Sequence, residues 1–270
     1  MKTYRDYMNL PKQNRVIALG NFDGVHKGHQ PIIHKAIEMA HRYKAESAVF
    51  LFDPHPMERL YPTRAFSLLT TPLQRGLILS DMGVDSLILA EFTQAMMQME
   101  PEKFIEEVLL NQCSAVGLSV GYDYTFGNRG LGTVTLLQDL AKQLHFSLSI
   151  QERVDYLGSA ISSTRIKQAI LDGNFSLVEA LLGRPYQIHL KLEVQTNGDY
   201  LVELWPNAIA PLTGCHSVLI QGQPGEKKHI AKFWTRNGTH YYLSSSMQLL
   251  SGVWLSLYFL SDSTQTELDF

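Results

Sequence analysis

Residues 20–29 read Gly-Asn-Phe-Asp-Gly-Val-His-Lys-Gly-His and follow the apolar run Val16-Ile17-Ala18-Leu19. Two imidazoles separated by Lys27 and Gly28 thus sit where a buried strand should give way to a helix. A helix start presents N–H groups that lack intrahelical partners and the positive end of the peptide dipole, which makes it a ready anion site. Gly20, Gly24 and Gly28 let backbone approach such an anion closely. Histidine donors can follow charge as it moves onto phosphoryl oxygens. His26 and His29, with Asn21 upstream and Gly20, Phe22 and Gly28 in the same loop, are the candidate phosphate-binding groups. Two histidines could also ligate zinc, but no third ligand lies at useful spacing, and unrelated surface histidines are the remaining reading.

Three further stretches carry chemistry. Ser162-Ser163-Thr164-Arg165-Ile166-Lys167 sets three hydroxyls ahead of a helix and two cations in its first turn. Serine and threonine are preferred caps, and a capped start with a nearby cation is also an anion site. Gly121 to Gly132 is a glycine-rich connection with Tyr122, Asp123, Tyr124 and Phe126. Its glycine spacing is wrong for a dinucleotide fingerprint; it could hold a planar ring or simply be an aromatic-packed loop. Phe52-Asp53-Pro54-His55-Pro56 ends a strand, and its two prolines make a rigid turn.

The elements that must position these residues follow from the apolar pattern. Runs at 16–19, 48–52, 86–90, 115–120 and 146–150 are apolar on both faces, as strands of a covered parallel sheet are. Between them, Ile32, Ile33, Ala36, Ile37 and Ala40 share a helix face. Pro72 opens a helix with Leu73, Leu77 and Leu79, and Pro101 opens one with Phe104, Ile105, Val108 and Leu109. The alternation predicts a doubly wound parallel α/β domain over 1–184, with ligands at the carboxyl ends of its strands. Helical patterns at 162–171 and 175–182 close it. Beyond Gly183-Arg184-Pro185 the runs His189–Val194, Tyr200–Leu204, Val218–Gln221, His229–Phe233 and Val253–Leu260 alternate or are β-branched. They are divided by Asn197-Gly198, Pro224-Gly225 and Asn237-Gly238. A smaller antiparallel β-barrel is expected over 185–270.

Of the 270 residues, 45% are hydrophobic and 18% charged, with a net charge of −3. The composition suits a globular chain and argues against a nucleic-acid binder. Cys113 and Cys215 are too few for a disulfide framework or a cysteine-rich zinc site. The first ten residues lack an apolar signal region, and no stretch approaches the ~20 apolar residues of a membrane span. A cytoplasmic location is expected.

Taken in order, the four motifs resemble the bacterial FAD synthetase family, usually bifunctional riboflavin kinase/FAD synthetases. The resemblance rests on Gly20–His29, Phe52–Pro56, Gly121–Gly127 with Tyr124 in place of Phe, Ile161–Lys167, and the joining segment Leu181–Tyr186. It implies adenylyl transfer from ATP to FMN, with Mg²⁺ accompanying the ATP. It also implies that His26, His29 and Asn21 serve the transferring phosphate. Ser162, Ser163, Thr164, Lys167 and Arg165 would bind the β- and γ-phosphates across a shared cleft. Phe52, Pro54, His55, Asp123 and Phe126 would contact flavin.

Two departures matter. Lys167 stands where the family usually has Arg, keeping charge but losing the bidentate fork. After residue 186 there is no Pro-Thr-Ala-Asn stretch, the family's kinase signature. FAD synthesis without riboflavin kinase activity is therefore expected. Two other readings remain open: transfer to another phosphorylated acceptor, such as a pantetheine phosphate or nicotinamide mononucleotide, and a non-catalytic flavin sensor.

Overall fold

The computed structural model describes residues 1–61, 63, 66–195, 199–222, 225–236, 240–245, 249 and 252–261. The expected turns Asn197-Gly198 and Asn237-Gly238, and Pro224, lie outside them. The chain divides into two compact units, one of residues 1–66 and 72–160, the other of 67–71 and 161–270.

The first unit holds six parallel strands: β1 (Lys2–Tyr4), β2 (Arg15–Leu19), β3 (Glu46–Phe52), β4 (Ser86–Ala90), β5 (Ala115–Gly121) and β6 (Ser147–Gln151). Their order across the sheet is β1-β4-β3-β2-β5-β6, and every pairing is parallel. The connections are α1 (Gln30–Tyr43), α2 (Pro56–Leu60), α3 (Pro72–Asp81), α4 (Gln94–Gln98), α5 (Pro101–Lys103) and α6 (Val134–Gln143). α5 continues into a π-helical segment, Phe104–Gln112.

All five residues of β2 are buried, because both sheet faces are covered. Val16 and Ala18 pack with Ile33, Ala36 and Leu79 of α1 and α3. Ile17 and Leu19 pack on the opposite face with Phe104, Ile105 and Leu137. The alternation is the period-2 geometry of a strand, and the arrangement is the doubly wound sheet that the apolar runs predict. β1 and α6 had no counterpart in the sequence reading. β1 is three residues at the sheet edge; α6 is capped by Thr133, whose Oγ1 accepts from Leu136 N at 3.3 Å.

α3 turns the other way from its leucine pattern. Leu73 is 70% and Leu77 56% exposed, while Gln74, Arg75 and Leu79 are buried. Arg75 and Leu79 are one turn apart on the packed face. The packed face thus carries Leu79 into the apolar cluster beneath the sheet and buries Arg75 beside it.

The second unit begins with a small hairpin of helices, α7 (Ser163–Leu171) and α8 (Phe175–Leu182). It continues with β9 (Tyr186–Val194), β10 (Tyr200–Leu204), β11 (Cys215–Gln221), β12 (His229–Arg236), β13 (His240–Ser245) and β14 (Trp254–Phe259), which close into an antiparallel barrel in the order β10-β13-β12-β11-β14-β9. Alternate residues fill its interior, among them Leu190, Val218, Phe233, Leu257 and Phe259. Phe233 meets Phe259 edge-on at 5.2 Å. The barrel matches expectation, with β13 as an added strand. A two-residue-strand hairpin, β7 (Asp155–Tyr156) with β8 (Ser159–Ala160), ends the first unit.

Candidate active site

The sheet reverses its winding between β2 and β5. From β2 the chain steps to β3 and β4 on one side; β5 and β6 extend the other. In open parallel sheets, ligands bind at the carboxyl ends of the strands at such a switch point. The carboxyl end of β2 runs into Gly20–His29, that of β3 into Phe52–Pro56, and that of β5 into Gly121–Gly127. Since β3, β2 and β5 are neighbours, three of the four motifs gather on one edge of the first unit.

The Gly20–His29 loop is tightly determined. A Cβ on Gly20 would come within 3.1 Å of the Phe22 ring. Phe22 (φ +47°) and Val25 (φ +41°) both hold left-handed backbone, a conformation costly for bulky and β-branched residues. Val25 N donates to Phe22 O at 3.0 Å, and His29 N to His26 O at 2.7 Å. α1 follows at once, with His29 in the cap position, no side-chain cap hydrogen bond, and a proline in its first turn.

His26 is buried and His29 partly so, and their rings stack with centroids 3.6 Å apart and planes 20° apart. Phe22 meets His29 edge-on at 5.3 Å. His29 Nδ1 is buried and has no hydrogen-bond partner among the described residues. Burial, then the neighbouring His26, then the charge of Arg75 hold the His29 imidazole well below the usual histidine range. His29 is therefore neutral at neutral pH. Asn21 is exposed on the same loop, and its carbonyl accepts from Arg75 Nη1 at 2.9 Å. Arg75 Nη2 lies 3.8 Å from Asp23 Oδ1, both side chains being buried.

The flanking loops mix structural and accessible groups. Phe52 packs at 4.8 Å from Phe92 and 5.4 Å from Phe50. Asp53–Pro54 is a cis peptide. His55 caps α2, its Nδ1 accepting from Met57 N at 3.2 Å, and its ring lies 4.7 Å from Phe66. After β5, Asp123 and Tyr122 are exposed. Phe126 is a core side chain, stacked on Tyr124 at 5.7 Å and paired through its backbone with Gly132. Burial pushes the Tyr124 phenol up.

In the second unit Ser162 caps α7, its Oγ accepting from Arg165 N at 3.2 Å. Thr164 is exposed, Ser163 and Arg165 are partly buried, and Lys167 Nζ donates to Ser67 O at 2.6 Å. These residues belong to a different compact unit from the histidines. Among the described residues, no group of three or more His, Cys, Asp or Glu is placed to hold a metal. Sequence reasoning missed Arg75 and Asp23. A lone arginine in a leucine-rich helix reads as solvated, and Asp23 offered no signal apart from lying inside the glycine-rich loop.

A parallel doubly wound sheet with paired histidines at a strand-to-helix corner is the architecture of a nucleotide-binding α/β protein. The FAD synthetase family matches over residues 9–165, and the chain belongs to that family. The bifunctional riboflavin kinase/FMN adenylyltransferase of Escherichia coli K12 is 30% identical over 84% of this chain and 75% of its own length. The same-named protein of Listeria monocytogenes is 35% identical over 64% of this chain and 55% of its own. Among solved structures, a macrolide-efflux protein from Streptococcus pneumoniae superposes with a TM-score of 0.84 at 25% identity, covering 99% of this chain and 94% of that one. Among the described residues of this chain, no helix is long and apolar enough to cross a membrane.

Proposed function

We propose that the chain transfers the adenylyl group of ATP to FMN, giving FAD and pyrophosphate, in the cytoplasm. A phosphate oxygen of FMN attacks the α-phosphorus, the bond to the β-phosphate bridging oxygen breaks, and pyrophosphate leaves. No covalent enzyme intermediate is needed, so the protein's task is alignment and stabilisation of charge on the transferring group. The supporting observation is the stacked His26–His29 pair at the switch point, with a buried, unpartnered Nδ1 on His29. Such an atom is a desolvated polar group kept ready for a ligand.

In this reading His26, His29 and Asn21 act at the α-phosphate, with Gly20, Phe22 and Gly28 shaping the loop around it. Ser162, Ser163, Thr164, Arg165 and Lys167 take the β- and γ-phosphates. Asp123 and the Phe52–Pro56 turn serve the flavin. Phe126, being a core side chain, supports that loop rather than meeting the ring system. Magnesium enters as part of the ATP substrate, its ligands coming mostly from phosphate oxygens and water. The lack of a Pro-Thr-Ala-Asn stretch after residue 186 supports adenylyl transfer without riboflavin kinase activity.

The test is product chromatography after incubation with FMN and magnesium-ATP. FAD and pyrophosphate in equal amounts are expected, and His29→Ala should lower turnover by ~10²–10³ with its circular dichroism unchanged. A folded His29→Ala within a few-fold of the parent overturns the role of the pair. Pyrophosphate release with another phosphorylated acceptor but not with FMN overturns the substrate.

A further inference from the structure

We propose that Arg75 is a positioning residue of this nucleotide site, its guanidinium clamping the Gly20–His29 loop from α3 so that the two imidazoles are presented to phosphate in one geometry. The inference rests on the adenylyl-transfer reading and deepens it.

Three observations carry it. First, α3 buries Arg75, 3% exposed, on the same face as the core residue Leu79, while Leu73 and Leu77 lie in water. Burying a guanidinium is unfavourable unless it is paired and hydrogen-bonded, so something specific must hold this one in. Secondly, the partners it finds belong to the motif itself: Asn21 O at 2.9 Å and Asp23 Oδ1 at 3.8 Å. These residues bracket Phe22, whose backbone is left-handed. Strained backbone persists where its surroundings over-determine it, and a rigid planar fork reaching two adjacent points of the loop does that.

Thirdly, the clamp brings positive charge close to His29. The charged and titratable groups acting on that imidazole are His26 from its own loop and Arg75 from α3, with Asp23 of the loop and Asp53 after β3 acting on Arg75. The cation disfavours a proton on His29, adding to the larger effects of burial and of His26. The incoming triphosphate, which is anionic, works in the opposite sense. Arg75 thus holds the loop that carries the histidines and adds to the burial and the His26 interaction that disfavour a proton on His29.

Arg75→Lys, Arg75→Met and Asp23→Asn are compared by two measurements on the full chain. One is the titration midpoint of His29, followed by NMR of the ring protons in the ligand-free protein. The other is steady-state FAD synthesis. Arg75→Met should raise the His29 midpoint and lower kcat by ~10- to 10²-fold, the scale expected when a catalytic group is misplaced by about an ångström. Arg75→Lys retains charge without the fork, so it should leave the midpoint near that of the parent and recover only part of kcat. Asp23→Asn removes the negative partner and should lower the midpoint further; being a subtler change, it tests the clamp even if Arg75→Met does not fold. A lowered melting temperature with unchanged His29 midpoint and unchanged kcat per folded molecule overturns the proposal. If the parent makes no FAD, the function fails, and the His29 titrations still decide whether Arg75 governs the loop.

Discussion

His26 and His29 stack at 3.6 Å, a distance at which a proton on one ring opposes a proton on the other. Because the folded state holds the His29 pKa well below its ordinary value, acid acts on the unfolded chain first. Once pH falls below about 6.5, the unfolded imidazole binds a proton that the folded one refuses. Stability attributable to this group is complete above that pH and is lost as pH falls, by at most about 1.4 kcal/mol per pH unit. Urea denaturation of His29→Gln at pH 7, 6 and 5 should show a shallower decline than the parent; equal slopes would show that His29 is not the titrating group. Arg15 makes an instructive contrast at the opposite end of β2. It is fully buried, yet Glu46 Oε2 at 3.0 Å and the carbonyls of Pro11, Gln13 and Cys113 at 3.0–3.1 Å satisfy it. That arginine staples the ends of the strands away from the site, whereas Arg75 reaches into it.

At the scale of elements, the loop leaving β5 depends on a close approach to α5. Gly127 adopts φ +71°, and a Cβ there would lie 2.7 Å from Pro101 Cα and 2.8 Å from its nitrogen. Backbone cannot step aside as a flexible side chain can, so both strain and displacement follow. Gly127→Ala should lower unfolding free energy by about 1–3 kcal/mol, seen as a lower urea midpoint at unchanged slope. A midpoint equal to the parent's would mean that the loop moves freely off Pro101. The same loop carries Asp123, so the variant should also weaken whatever that carboxylate contacts. α3 makes the complementary point: it leaves Leu73 and Leu77 exposed, so they add none of the ~1.5–3 kcal/mol that burying each would give, and its hold on the sheet comes from Leu79 and Arg75.

At the scale of the molecule, two kinds of sheet carry two kinds of role. The parallel sheet has a switch point between β2 and β5, and its strand ends supply the candidate site. The barrel is closed and filled: Phe233 stacks with Tyr241 at 5.6 Å and meets Phe259 at 5.2 Å. In the proposed reading the barrel takes no part in kinase chemistry, since no Pro-Thr-Ala-Asn stretch follows residue 186. Riboflavin with magnesium-ATP should accordingly give no FMN on the chromatogram that shows FAD from FMN; steady FMN formation would mean that other residues of the barrel replace the missing stretch. The two helices α7 and α8 group with the barrel rather than with the parallel sheet.

Much of this was legible in the chain itself. Apolar runs located β2 through β6 because a strand covered on both faces needs apolar residues at every position. Proline and hydroxyl caps located the helix starts, and His-x-Gly-His located the corner. These are local signals, carried within a few residues. What the sequence could not reveal were pairings between distant residues. β1 is too short to show a period, and β13 is one strand of a closed barrel whose partners define it. Leu73, Leu77 and Leu79 mark α3 as a helix without fixing which face it buries. Its true orientation is decided by a guanidinium and a carbonyl 54 positions apart in the chain. Sequence thus determined which elements form and which chemical groups they carry. Tertiary structure alone decided which charge is buried, whether two imidazoles stack, and in which direction the His29 pKa moves, because burial and Coulomb interaction depend on distances in space that periodicity along a chain does not encode.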